Sequence, residues 1–320
     1  MKNKELLTFC MMLLMLPLLL VSVTQAQTTE KPIIVCTTSA VGSVVEDFLG
    51  DTAEVLVLVQ PGLCPADFDM KPGYVDAVSK ATILFKQNIQ GEFWLESLLE
   101  SAGSDDLKVV AIPGVYNTPE GAKSYIRGVG GNLSQILGIN LDSETTEMIA
   151  EIDEVSNWMT SQAENLEAST VKVICMGWLK TFIESAGFNV VSTYNPPETL
   201  SLGDINALLG TAHTEGVALV VDNLQIDTEF GGEISHPVGA EHVVLTNFPG
   251  AVPGTETLAK MLRYNAEELL AGASSWHIAS DLKAEKIDLG NQVTLYQITT
   301  VIAVVVAAFL AVQLYARKKR

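Results

Sequence analysis

Short, uninterrupted apolar runs alternate with longer amphipathic segments along most of this chain, an order that builds a parallel β-sheet flanked by helices. The run IIVCTT from Ile33 is followed by AVGSVVEDFLG, in which Val41, Val44, Val45, Phe48 and Leu49 recur at helical spacing. EVLVLV, TILFKQ and KVVAIPG are further strand candidates, separated by a short helix opening at Pro72 and by the helix EFWLESLLESAG. A second block repeats the pattern with VKVICM, FNVVSTY, VALVVDN and EHVVLTN.

Two helical segments separate the blocks. In TPEGAKSYIRGVGGNLSQILG, Thr118 is the expected N-cap, Pro119 takes the first helical position, and Ile126, Val129, Leu133, Ile136 and Leu137 are apolar. DSETTEMIAEIDEVSNWMTSQAENLEA contains no Gly or Pro, and Met148, Ile149, Ile152, Val155 and Met159 mark one face. A helix of roughly 26 residues would run about 39 Å, the length of a strut between lobes. The expected fold class is therefore α/β: two lobes, each a mostly parallel sheet flanked by helices, joined by one long rigid helix. A last amphipathic helix, GTETLAKMLRYNAEELLAG, shows Leu258, Met261, Leu262, Leu269 and Leu270 on its apolar face, with Gly272 placed to end it.

The ends read as targeting and anchoring segments. Residues 1–26 have Lys2 and Lys4, an apolar run and small residues up to Ala26, the layout of a secretory signal peptide. From Leu289 to Ala316 there is no charge, and the core of that span is long enough to cross a membrane as a helix before the basic close ARKKR. Basic residues after a span stay cytoplasmic, so the main domain is expected outside the cell membrane, held by a single-pass C-terminal anchor. The expected division is signal peptide 1–26, N-terminal lobe 27–141, connecting helix 142–168, C-terminal lobe 169–275, linker 276–294, transmembrane helix 295–316 and basic cytoplasmic tail 317–320.

Removing the six terminal basic residues from 19 leaves 13, and removing Glu5 from 38 leaves 37 acidic ones, so the outer part carries a net charge near −24. That surface repels nucleic acid, whose phosphates need a basic footprint. Cys36, Cys64 and Cys175 remain after the first 26 residues, an odd number that leaves at least one thiol unpaired within a chain. No Gly-x-Ser-x-Gly, His-Glu-x-x-His or phosphate-loop pattern occurs, and no enzymatic activity is expected. The acceptor Asn-Leu-Ser at Asn132 falls within a predicted helix.

The stretch PGLCPADFDMKP, Pro61 to Pro72, follows a predicted strand, and its three prolines fix a loop that presents side chains in one arrangement. With the following helix and AVSKATILF it resembles the ligand-presenting loop of the metal-binding receptors of zinc and manganese ABC importers, the group known as cluster A-I. PGTETLAKMLRYNAEEL is similar to that family's last helix and TPEGAKSYIRGVGGNLSQIL to another of its helices, and the likeness spans most of Lys31 to Gly272. The resemblance implies an extracytoplasmic solute-binding protein that hands its ligand to an ABC permease and its ATPase.

The family holds its ion with three His and a carboxylate, and those positions fall here on Ala66, Gly114, Met176 and Asn247. Two readings of the replacements stand. Cys64, Asp67, Met176 and Asn247, with Cys175, Asp69 and Met70 as further candidates, would suit a soft transition-metal ion as the transported ligand. Alternatively Cys64 packs beneath its prolines and Cys175 is a core residue, with Cys36 in the core under either reading. Strand alternation points Cys175 and Met176 to opposite faces. His236 and His242 read as surface residues of a Gly-rich connection, and Trp178 and Tyr194 as core or as stacking surfaces for an organic ligand. A surface interaction protein that kept the fold and lost metal binding is the alternative function.

Overall fold

The computed structural model describes residues 31–87 and 89–318, with Gln90 described by its backbone alone. The signal-peptide segment 1–26 and the final Lys319 and Arg320 lie outside the described residues.

The apolar runs form two four-stranded sheets, each parallel throughout. In the first, β1 (Ile33–Cys36) and β3 (Ile83–Lys86) are central, flanked by β2 (Glu54–Val57) and β4 (Lys108–Ala111) in the order β2-β1-β3-β4. The second has β5 (Lys172–Met176) and β7 (Leu219–Asn223) at its centre, flanked by β6 (Asn189–Tyr194) and β8 (Glu241–Leu245) in the order β6-β5-β7-β8. Central strands are covered on both faces, which explains their unbroken apolar sequence; Ile34, Val35, Cys36, Ile174, Cys175 and Met176 are all fully buried.

Helix α1 (Ser39–Leu49) follows β1, α2 (Pro72–Lys80) precedes β3, and α3 (Leu95–Ala102) precedes β4. Between the lobes lie α4 (Pro119–Leu137) and α5 (Asp142–Asn165). Thr118 caps α4 by accepting from the Gly121 N–H, and Ile126, Val129 and Leu133 are buried as their spacing predicts. The strut α5 runs 24 residues, about 36 Å. It buries Ile152, Met159 and Ala163 in a single apolar core that continues from Ile34, Val44 and Phe48 of the first lobe to Val173, Met261 and Leu262 of the second. Two lobes therefore share one hydrophobic core.

In the second lobe α6 (Lys180–Ser185), α7 (Leu202–Glu215) and α8 (Phe230–Ser235) connect the strands. Gly272 does not end the last helix: α9 runs from Leu258 to Lys318 as one helix of 61 residues. A Cβ at Gly272 would lie 2.6 Å from Val243 Cγ2, so this glycine serves close approach of helix and sheet instead of termination. Residues 276–294, expected as a linker, are helical, half-buried at Trp276 and His277 and exposed from Ile278 onward, continuous with the apolar segment that follows. That segment is long and apolar enough to cross a membrane, and Val301, Val304, Phe309 and Val312 are all more than 60% exposed.

Asp47 sits where α1, α5 and α9 meet. Asp47 remains exposed, yet partial desolvation at this junction, then the charges of Glu151 and Glu46, push its carboxyl up to about 6 against the opposing pull of Lys260. An acid raised in the folded state contributes stability below its ordinary value near 4, and that contribution is lost as pH rises through 6. Asp47→Asn, which mimics the protonated form, is expected to stabilise the chain at pH 7.5 by up to about 1 kcal/mol after solvent screening. Urea melts at pH 7.5 and pH 4 check it, since the difference should vanish at the lower pH. Gly272→Leu is expected to destabilise by about 2 kcal/mol or more through overpacking against Val243, read from the same melts.

Candidate functional site

The carboxyl ends of the strands from both lobes face one cleft, where the connecting loops gather. The Pro61–Pro72 loop is fixed from below by Trp94, whose indole Nε1 donates to the Pro65 carbonyl at 2.8 Å and whose ring stacks on Phe68 at 3.9 Å. After β1, Thr37 Oγ1 donates to Glu92 and Thr38 Oγ1 to Gln87. The Gln87 N–H donates to both Thr37 Oγ1 and Glu92 Oε1 at 3.1 Å. These bonds satisfy the ends of β1 and β3 and leave the floor of the first lobe rigid.

In the second lobe the buried Asp222 carboxylate accepts from Tyr194, from the Gly231 N–H at 2.8 Å, and is paired with His242 Nε2 at 2.8 Å. His242 is thus half-buried and partnered, not the surface residue expected, because Asp222 needs donors once it is fully enclosed. His236 is exposed. Burial and the neighbouring Asp222 push the Tyr194 hydroxyl far up, so it stays a neutral donor.

A cavity of about 560 Å³ lies between the lobes. Its polar lining is Gln87, Asn117, Thr181, Asn223, Gln225 and Asn247, together with Cys64 and Tyr116. The apolar lining includes Ile89, Val115, Trp178, Ile226 and Phe248. Two amides cross from lobe to lobe. Asn117 Nδ2 donates to Asn247 Oδ1 at 3.1 Å and to the Trp178 carbonyl at 3.2 Å. Gln225 Nε2 donates to the Pro61 carbonyl at 2.9 Å and to Thr246 Oγ1 at 2.8 Å, while its Oε1 accepts from the Asn247 N–H.

The structure disperses the residues expected to bind metal. Cys64 and Asn247 line the cavity. Ala66 and Asp67 lie in an exposed turn, Asp69 and Met70 are exposed, and Met176 is fully buried within the core. Cys175 is also fully buried, and its thiol is pushed up to about 12, chiefly by burial, which disfavours the thiolate a metal would need. Cys36 is core, its thiol raised further still by burial. Gly114 stands at φ +118°, a conformation that a His would adopt only with strain. Among the described residues no three His, Cys, Asp or Glu side chains converge as metal donors. Neutral amides and a lone half-buried thiol are a poor set for zinc or manganese, which take imidazole, thiolate or carboxylate ligands. Asn117, Asn223 and Gln225 were missed in sequence reading; each is a polar residue at the end of a strand, just after one or just before a helix, a position whose facing side only the packed lobes reveal.

Comparisons with known proteins agree with this architecture. Residues 34–272 match the family model described as zinc-uptake complex component A, periplasmic. The manganese-binding lipoprotein MntA of Halalkalibacterium halodurans is 21% identical over 269 residues, covering 75% of this chain and 88% of that protein. Among solved structures, the Mn-bound periplasmic metal binding protein of Candidatus Liberibacter asiaticus superposes with a TM-score of 0.66 at 13% identity, covering 76% of this chain and all of that one. A crystal structure of ZnuA gives 0.63 at 18% identity with the same coverage.

The interlobe amides generate a measurable expectation. Asn117→Ala removes both of its bonds across the cleft and should weaken closure by about 1–2 kcal/mol. Hydrogen exchange is expected to quicken roughly tenfold at Trp178 and Leu179 with little change at Val173 and Ile174 in the core. Unchanged exchange at the cleft would show that the apolar core alone holds the lobes together.

Proposed function

The chain belongs to the ZnuA family of periplasmic metal-uptake receptors, and from that premise we propose that it is a membrane-tethered receptor delivering a ligand from its cleft to an ABC permease and its ATPase. The observation that carries the reading is the family match over 34–272 combined with a cleft bounded by the carboxyl ends of both sheets, where open α/β folds bind their ligands. The receptor performs no chemistry on the ligand; capture and release are its work.

The tether is α9. From the last buried residue, Ala273, to the start of the apolar span near Leu295 the helix runs about 33 Å, so the cleft rides on a stiff post instead of a loose strand. A membrane-bound receptor samples the permease at a raised effective concentration, which takes the place of a lipid anchor. The acidic outer surface is the face available for docking. The shared core through α5 restricts opening to small lobe tilts and loop ordering.

The absence of converging metal donors among the described residues favours a second reading, a surface interaction protein that kept the fold and lost solute capture. Crosslinking of the full chain in its native membrane separates the two. The first reading expects capture of the spanning subunits of an ABC permease, and a version lacking residues 295–316 should associate at least about a hundredfold more weakly. Capture of other surface proteins with no permease would overturn it in favour of the second.

A further inference from the structure

We propose that the cleft takes a small, uncharged organic molecule with a carbonyl-type hydrogen-bond acceptor and a flat apolar body, in place of a metal ion. The inference rests on the receptor reading and names the ligand class of that same site.

Charge decides first. Every described residue that lines the cavity is neutral: amides, hydroxyls, one thiol and apolar groups. A buried ion of either sign would meet no opposite charge in that lining, and the Glu92 carboxylate behind it is already bonded to Thr37 and to the Gln87 and Ile89 N–H groups; burial of an unpaired charge is strongly unfavourable. Size agrees, because about 560 Å³ falls within the range of small-molecule pockets and far exceeds a single cation.

Asn223 supplies the second, independent observation. It lines the cavity at 1% exposure, and its Nδ2 has no hydrogen-bond partner. The orientation of this amide is fixed by chemistry, since its Oδ1 accepts the Gln225 N–H at 3.2 Å and a flipped side chain would set donor against donor. Asn223 therefore keeps an unused donor at the floor of the cleft, a group that is costly to bury unpaired. An acceptor on the ligand meets it. Asn117 and Asn247 stand nearby with their mutual bond, able to present further amide edges when the lobes tilt.

The mouth of the cavity supplies the apolar contact. Ile89, Val115 and Trp178 are 36%, 47% and 44% exposed, large apolar groups left open to solvent around one opening. Indole offers a face on which a flat ring stacks. Amides that read polar edges below and an aromatic surface above are the arrangement that a neutral heterocycle or cyclic amide fits.

Native mass spectrometry of the full chain, extracted from its own membrane in mild detergent, tests the inference. The expected result is an adduct of a few hundred daltons whose occupancy falls at least tenfold in both Asn223→Leu and Trp178→Ala. Trp178 is exposed, so its variant keeps the test valid even where the buried Asn223 variant fails to fold. An adduct of metal mass, confirmed by Zn(II) or Mn(II) binding at one per chain against a competing chelator, would overturn the inference while leaving the receptor reading intact. No adduct of either kind would also overturn it, and the permease crosslinking then decides the receptor reading separately.

Discussion

The rest of the structure depends on the packing of one strut against both lobes. Because α5 and the buried part of α9 place Ile152, Met159, Met261 and Leu262 in a core continuous with both sheets, separating the lobes means exposing apolar surface, at about 25 cal/mol per Å². That cost keeps the lobes close whether or not the cleft is filled. Small motions remain available because the residues that bridge the cleft are few and polar.

One of those polar bridges includes Asn247, a position at which the family resemblance expects a ligand. Asn247, at the expected carboxylate position, bonds to Asn117 from the other lobe. A cation that gathers charged ligands from both lobes and a neutral amide pair that spans the same gap solve one problem, joining the lobes, by different physics. The amide pair needs no ion, and it leaves room for a larger guest.

The long α9 adds a mechanical constraint. A helix continuous from the core to the apolar segment cannot swivel as a coil would, so in the proposed tether the orientation of the cleft would follow the tilt of that segment. Gly272, where the helix packs against Val243 of β8, secures the top of that post.

Hydrophobic periodicity was enough to read the α/β class, the two sheets, the Thr118 cap and the strut, because each depends on local spacing and on burial of one face or two. The C-terminal apolar run was equally legible from length and lack of charge. The end of α9 was not, since a glycine that stops a helix and one that admits a neighbouring strand are the same letter; the contact with Val243 distinguishes them. The cleft was legible only in part. The sequence showed that the family's His ligands are missing, and it located Cys64 and Asn247, but it placed Met176 and Asp67 in one site that the fold pulls apart, one into the core and one into solvent. His242 found Asp222 through strand register, and Asn117 found Asn247 across a sequence separation of 130 residues. Local spacing determines which side chains are buried, whereas only the docking of two lobes decides which buried polar groups meet and leaves Asn223 beside the cleft with an unpaired donor.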